Sequence, residues 1–315
     1  MKVAFLFSGQ GVQYAGMGKD LYEHYLESKA IFDKASEVLD WDVKEVCFTD
    51  QNAIINQTRY TQGALFTTSI AAFNAAKAQG IVPEAVLGFS LGEYSALVAS
   101  GVLTFEEALK LVEKRACYME ACAGKSEGGM AAVIGLTNED IQEVCEKVRQ
   151  EGHIITLAND NCPGQVVISG EKVAIEKATP LLKAKGARRV MPLNVSGAFH
   201  SPLMQAAADQ LAAELSRFNF NEPTTKVISN VTARYMNKAE VVENIPLQIV
   251  NGVRFRESIE HLISEGFDTF IEIGVKKTLC GFMTKISKDV KVFNIEDSES
   301  LNKVLSELGG YHVKG

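Results

Sequence analysis

The chain has 315 residues, enough to bury a large core and to form two subdomains. Hydrophobic residues make up 46% and charged residues 23%, the balance of a globular protein rather than a disordered or fibrous one. A net charge of −7 argues against nucleic acid as a partner, and any acidic partner would need a local basic patch.

Met1-Lys2 is followed by the apolar run Val3-Ala4-Phe5-Leu6-Phe7, which predicts a buried strand and is too short for a signal-peptide core. Ser8-Gly9-Gln10-Gly11 breaks the run into a loop. Helices are predicted over Leu21–Leu39, with a break, and over Tyr60–Ala78. Pro83 separates the second from Ala85-Val86-Leu87-Gly88-Phe89-Ser90-Leu91-Gly92, an apolar run that ends in Gly-x-Ser-x-Gly and passes straight into a helix. This is the nucleophile-elbow pattern, in which a tight strand-to-helix turn pushes the serine hydroxyl out over the helix N-terminus. Gly124-Lys125-Ser126-Glu127-Gly128 also fits the pentapeptide, but it follows a helix and precedes a strand, so it reads as a linker.

Thr104-Phe105-Glu106-Glu107 has capping-box spacing and opens a helix to about Cys122. Arg115 lies inside its apolar stripe of Ala108, Leu111, Val112, Met119 and Cys122. Two readings stand side by side: an arginine that snorkels or pairs with a core carboxylate, and one aimed into a cleft. Next come a strand at Met130–Ile134 and a helix from Thr137 to about Gln150. Strands at Ile154–Ala158 and Gln165–Ser169 flank an Asn159–Gly164 turn. A helix at Glu171–Lys185 and a strand at Arg188–Leu193 complete the run. That β-α-β-β-α-β order matches a ferredoxin-like unit.

Val195-Ser196-Gly197-Ala198-Phe199-His200-Ser201-Pro202 returns to loop chemistry. Ser201 is a plausible N-cap and Pro202 a first helical residue. His200 therefore precedes a helix start, whose field is expected to keep it neutral. His24, His153, His261 and His312 lie on helices, in the small unit or in the tail, so His200 is the best candidate base. Strands follow at Val227–Ser229, Thr269–Ile273 and Val290–Ile295, then a helix at Glu299–Leu308. The six cysteines, Cys47, Cys117, Cys122, Cys145, Cys162 and Cys280, form no Cys-x-x-Cys pair and no zinc-like cluster. They predict reduced thiols in a cytoplasmic protein, with no metal and no membrane span.

Ser90 and His200 make a nucleophile–base pair. The backbone N–H groups of Leu91 and Gln10 are candidate oxyanion donors, and no acidic residue stands out as a third triad member, so a backbone carbonyl is left to orient His200.

Gly9-Gln10-Gly11, Gly88-x-Ser90-x-Gly92-Glu93-Tyr94-Ser95-Ala96-Leu97, Arg115 with Met119, Pro163–Gly170 and Gly197-Ala198-Phe199-His200-Ser201 occur in order. Together they resemble the malonyl-CoA:acyl carrier protein transacylase family, from Phe5 to the last helix. The resemblance implies an α/β-hydrolase-like parallel-sheet domain, 1–126 with 195–315, carrying an inserted ferredoxin-like domain, 127–194. It implies that Ser90 attacks malonyl-CoA and His200 moves the proton. Gln10 and Leu91 hold the oxyanion, and Arg115 grips the malonyl carboxylate as a bidentate fork. Phe199 and Met119 shape the pocket. The second substrate is the phosphopantetheine arm of acyl carrier protein, met transiently by a monomer that binds no cofactor. Three positions depart from the family pattern. Phe89 stands where histidine is frequent. Arg254 lies in the segment that tends to orient the histidine. Gly274-Val275-Lys276-Lys277 replaces a Gly-Pro-Gly turn. The same motifs serve fatty acid synthesis and discrete malonyltransferases of polyketide synthases. A serine hydrolase acting on carrier-protein thioesters is the alternative from another class, and Arg115 argues against it.

Overall fold

A computed structural model describes residues 1–125 and 127–308; Ser126, with the linker reading placed on it, and His312 lie outside the described residues. The strands are Val3–Phe7 (β1), Ala85–Gly88 (β2), Gly128–Ile134 (β3), Ile155–Cys162 (β4), Gln165–Glu171 (β5), Arg189–Pro192 (β6), Lys226–Ile228 (β7), Thr269–Ile273 (β8) and Lys291–Ile295 (β9). They form two sheets. One is parallel, in the order β7-β2-β1-β8-β9, and the other antiparallel, in the order β4-β5-β3-β6.

The unbroken apolar run of β1 is explained by burial on both faces. Side chains alternate across a strand. Val3, Phe5 and Phe7 join the core built with the Thr58–Ala78 helix, while Ala4 and Leu6 pack with Phe255, Ile259 and Phe282 on the other side. β1 and β2 run in register from Ala4 beside Ala85 to Phe7 beside Gly88, so the loops after both strands emerge together at one end. The Ser90 turn and the Gly9-Gln10-Gly11 loop are therefore neighbours.

The antiparallel sheet has its own apolar core, where Ala131, Val133 and Ile168 meet Ile141 and Val144 of the Asn138–Gln150 helix and Ala178 and Leu182 of the Lys172–Ala184 helix. The expected Asn159–Gly164 turn is shorter than predicted. β4 continues through Asn159 to Cys162 with two register shifts, which leaves only Pro163-Gly164 as the bend. Such irregularities re-aim side chains within a strand. They also let β4 meet the main body, where the Asp160 N–H donates to the Val253 carbonyl at 2.9 Å and the Val253 N–H to the Ala158 carbonyl at 2.8 Å. Sequence reasoning also missed the short Val43–Phe48 helix, capped by the Asp42 side chain.

Candidate active site

β2 ends at Gly88, and the Gly92–Ala99 helix starts four residues later. The turn is too tight for side chains at either glycine. A Cβ on Gly88 would lie 1.9 Å from the Gly92 carbonyl carbon, and one on Gly92 would lie 2.1 Å from the Phe7 oxygen. Between them Ser90 takes φ 53°, a left-handed conformation that costs an L-residue about 1–2 kcal/mol. Two side chains hold it there. The Ser90 N–H donates to Asn230 Oδ1 at 2.7 Å, and Gln248 Nε2 donates to the Ser90 carbonyl at 2.9 Å.

Ser90 Oγ lies 2.7 Å from His200 Nε2. His200 sits as expected just before the Pro202–Met204 turn, with the Ser201 hydroxyl accepting from the Leu203 N–H. His200 Nδ1 donates to the Gln248 carbonyl at 2.8 Å and the Asn251 carbonyl at 3.2 Å. Backbone acceptors thus orient the ring and leave Nε2 free to accept a proton. Burial and then the nearby Arg115 charge push the His200 pKa down to about 4, so the imidazole is neutral at pH 7. The imidazole is neutral as expected, through burial and the Arg115 charge.

Arg115 is buried and faces this pair rather than snorkelling outward. Nη1 donates to Gln62 Oε1 at 2.8 Å, and Nη2 donates to Ser90 Oγ at 3.1 Å and to Gln248 Oε1 at 3.0 Å. Its carbon Cζ stands 5.4 Å from the centre of the Tyr94 ring. None of these hydrogen-bond partners is a carboxylate, and Nε has no partner among the described residues. Burial pulls the guanidinium pKa below its usual value.

A cavity of about 700 Å³ opens onto the triangle of Ser90, His200 and Arg115. Gln10, Met119 and Phe199 also line it, as do Asn159 and Asn161 of β4. Gly9 presses against the Ser90 turn, since a Cβ there would lie 2.5 Å from the Phe89 oxygen; this holds Gln10 beside it. Leu91 caps the Gly92–Ala99 helix with its side chain buried. Among the described residues, neither the Gln10 nor the Leu91 backbone N–H is engaged by a protein acceptor.

The three departures have distinct local consequences. Phe89 packs on Phe255 and Phe282, with ring centres 5.6 and 6.2 Å away, and forms cavity wall. The Arg254 side chain turns to Glu257 at 2.7 Å and leaves the carbonyls that hold His200 untouched. Lys276 takes φ 61°, where glycine is the usual choice, and its Nζ lies 5.7 Å from the Tyr14 ring centre.

Sequence reasoning missed Gln62, Asn230 and Gln248, and it named Glu93 within the serine motif without giving it a role. Glu93 carried the clearest signal, the one charged residue in the buried Gly92–Ala99 helix. Its oxygens accept from the Asn230 N–H at 2.9 Å and from Gln248 Nε2. Burial pushes its pKa up to about 7.

The acyl transferase domain model matches residues 4–308. The malonyl CoA-acyl carrier protein transacylase of Bacillus subtilis (strain 168) is 44% identical over 308 residues, 98% of this chain and 97% of that protein. A crystal structure of the malonyl CoA-acyl carrier protein transacylase from Clostridium perfringens superposes with TM-score 0.94 at 43% identity, covering 98% of this chain and 97% of that one. A malonyl-transacylase solved in complex with its type II PKS acyl-carrier protein superposes with TM-score 0.94 at 37% identity, covering 98% and 100%. The chain belongs to the acyl transferase domain family and, within it, to the malonyl CoA-acyl carrier protein transacylases.

Proposed function

We propose that this enzyme moves a malonyl group from malonyl-CoA to the phosphopantetheine thiol of acyl carrier protein through a malonyl-Ser90 ester, supplying extender units for fatty acid synthesis. Ser90 Oγ attacks the thioester carbonyl while its proton passes to His200 Nε2. The oxyanion is held by the Gln10 and Leu91 N–H groups, each such donor worth about 2.7–4 kcal/mol. Collapse expels the CoA sulfur, which takes the proton from His200. The carrier thiol then gives its proton to His200 and attacks the ester, and Ser90 Oγ regains that proton as it leaves. Both half-reactions exchange acyl groups without change of oxidation state, so the scheme uses no redox cofactor.

The observation that carries this reading is the Arg115 fork 3.1 Å from the nucleophile. A guanidinium matches a planar carboxylate with paired hydrogen bonds, and malonyl is the acyl group that brings one. Gln62 and Gln248 are neutral partners that yield to an anion at lower cost than a carboxylate would. A hydrolase for varied acyl groups gains nothing from that cation. Phe199 and Met119, on the cavity wall, are assigned to the fit of the acyl group. The test is peptide mapping after mixing with malonyl-CoA. The ester should appear on the Ser90 peptide and vanish in Ser90→Ala; label on the Ser126 peptide would contradict the assignment.

A second reading, a discrete malonyltransferase of a polyketide synthase, draws support from the relative solved with a type II PKS carrier. Comparing kcat/KM for fatty acid and polyketide carriers separates the two.

For the architecture we infer an α/β-hydrolase-like domain, 1–126 with 195–315, and a ferredoxin-like insert, 127–194. Support comes from the β4-β5-β3-β6 order with two helices packed on one face. The same reading makes the enzyme a cytoplasmic monomer, and the free state of the cysteines fits a reducing compartment.

A further inference from the structure

We propose that Glu93 is a positioning residue for malonyl selectivity: it fixes which end of the Gln248 amide faces Arg115, and so keeps the guanidinium fork aimed at Ser90. The inference rests on the malonyl-transfer reading above and extends it.

The Gln248 amide stands between a carboxylate and a cation. Its Nε2 donates to Glu93 and to the Ser90 carbonyl, and its Oε1 accepts from Arg115 Nη2. An amide can be turned end for end at nearly constant shape, so only its partners decide the orientation. Glu93 and the Ser90 carbonyl are acceptors, which puts the NH2 end on their side and the oxygen toward Arg115. The other Glu93 oxygen accepts the Asn230 N–H at 2.9 Å, and the Asn230 side chain holds the Ser90 N–H and the Gly88 carbonyl. One buried carboxyl group therefore braces both residues whose side chains hold the strained serine, Asn230 by its backbone N–H and Gln248 by its amide. When ionised it also supplies a negative charge one amide away from Arg115, so the fork is compensated with no carboxylate bonded to it.

Replacing Glu93 with glutamine inverts part of this pattern. The two groups facing it, the Asn230 N–H and Gln248 NH2, are both donors, and a glutamine offers them only one acceptor end. The Gln248 NH2 end then keeps only the Ser90 carbonyl at 2.9 Å and Asn230 Oδ1 at 3.4 Å as acceptors, and the orientation with NH2 toward the guanidinium gains population. In that population Arg115 loses an acceptor, meets a donor instead and moves off its line to Ser90. Protonating Glu93 in the native enzyme acts in the same direction. The charged and titratable groups facing Glu93 are Arg115, from the Phe105–Ala123 helix, and Tyr94, on its own helix. His200, its pKa held at about 4 by burial and by the Arg115 charge, stays neutral in the free enzyme throughout the pH range tested below.

The readout is the ratio of kcat/KM for malonyl-CoA to that for acetyl-CoA, in which losses common to both substrates cancel. In Glu93→Gln this ratio should fall by about tenfold or more, and Glu93→Asp, which keeps the charge, should restore part of it. An undiminished ratio in folded Glu93→Gln overturns the proposal. If that variant does not fold, the native enzyme decides: its ratio should decline as pH falls from about 8.5 to about 5.5, a range in which the malonyl carboxylate stays ionised. A flat ratio then overturns the proposal. A native enzyme that does not prefer malonyl-CoA at all refutes the malonyl reading itself, which separates the two failures.

Discussion

Nη2 of Arg115 donates to Oγ of Ser90 at 3.1 Å, so the cation reaches the nucleophile as well as its surroundings. The same oxygen lies 2.7 Å from His200 Nε2. Ser90 is thus placed between a neutral base and a buried cation, and the cation favours the developing alkoxide. Because Arg115 also lowers the His200 pKa, an acyl carboxylate that neutralises the guanidinium should raise the basicity of His200. Substrate choice and proton transfer are coupled through one charge.

His200 should mark the acid limit of stability. Its folded pKa of about 4 lies below the unfolded value of 6.5, so between those values the unfolded chain binds the proton more tightly. Stability is then lost as pH falls through this window, by about 3 kcal/mol for this residue. Glu93 and Glu272, pushed up to about 7, titrate with the opposite sign, binding protons in the folded state above the ordinary carboxylate value of 4.5. The difference between native protein and His200→Gln isolates the histidine. Denaturant unfolding from pH 7 to about pH 4 should show a shallower acid loss in the variant. Parallel curves would contradict the depressed pKa.

Phe199 is buried beside His200 and lines the cavity. Its ring is expected to crowd an α-methyl branch on the acyl group. Phe199→Ser should raise the use of methylmalonyl-CoA relative to malonyl-CoA by about 1–2 kcal/mol of discrimination. Steady-state kcat/KM for both substrates checks this, and an unchanged ratio removes Phe199 from the selectivity argument.

Lys276 and Lys277 are exposed and directly precede Thr278, which lines the cavity. Arg188, Arg189, Lys285 and Lys288 are exposed as well. Docking of an acidic carrier on these groups should weaken with salt, since screening acts over about 8 Å at physiological ionic strength. Carrier-dependent transfer should fall as salt rises, while hydrolysis of malonyl-CoA changes less. Lys277→Glu should raise KM for the carrier. Equal salt sensitivity of the two reactions would argue against electrostatic docking.

Local patterns made part of the site legible. The apolar runs of β1 and β2, the two glycines around Ser90, the loop placement of His200 and the misplaced charge of Arg115 are each visible within a dozen residues. Gln62, Asn230 and Gln248 were not visible in this way. They lie on separate elements, and only the packing of the Thr58–Ala78 and Lys238–Val250 helices around the Ser90 turn brings them together. An isolated glutamine on a helix carries no sign of what it will meet. The run Asn159-Asp160-Asn161-Cys162 looked like a turn because its composition is that of turns. Pairing with β5 and with Val253 overrode that local preference.

The central claim is that Arg115 reads the malonyl carboxylate at the serine that carries it. The measurement is kcat/KM for malonyl-CoA and acetyl-CoA in native enzyme, Arg115→Ala and Arg115→Lys. Hydrogen bonds to a charged group are worth about 1.5–3 kcal/mol, so Arg115→Ala should lose roughly ten- to a hundredfold or more with malonyl-CoA and shift preference toward acetyl-CoA. Arg115→Lys keeps charge without the fork and should recover only part of the loss. If Arg115→Ala lowers both substrates by the same factor while the protein stays folded, Arg115 serves the structure alone and the carboxylate-clamp account is wrong.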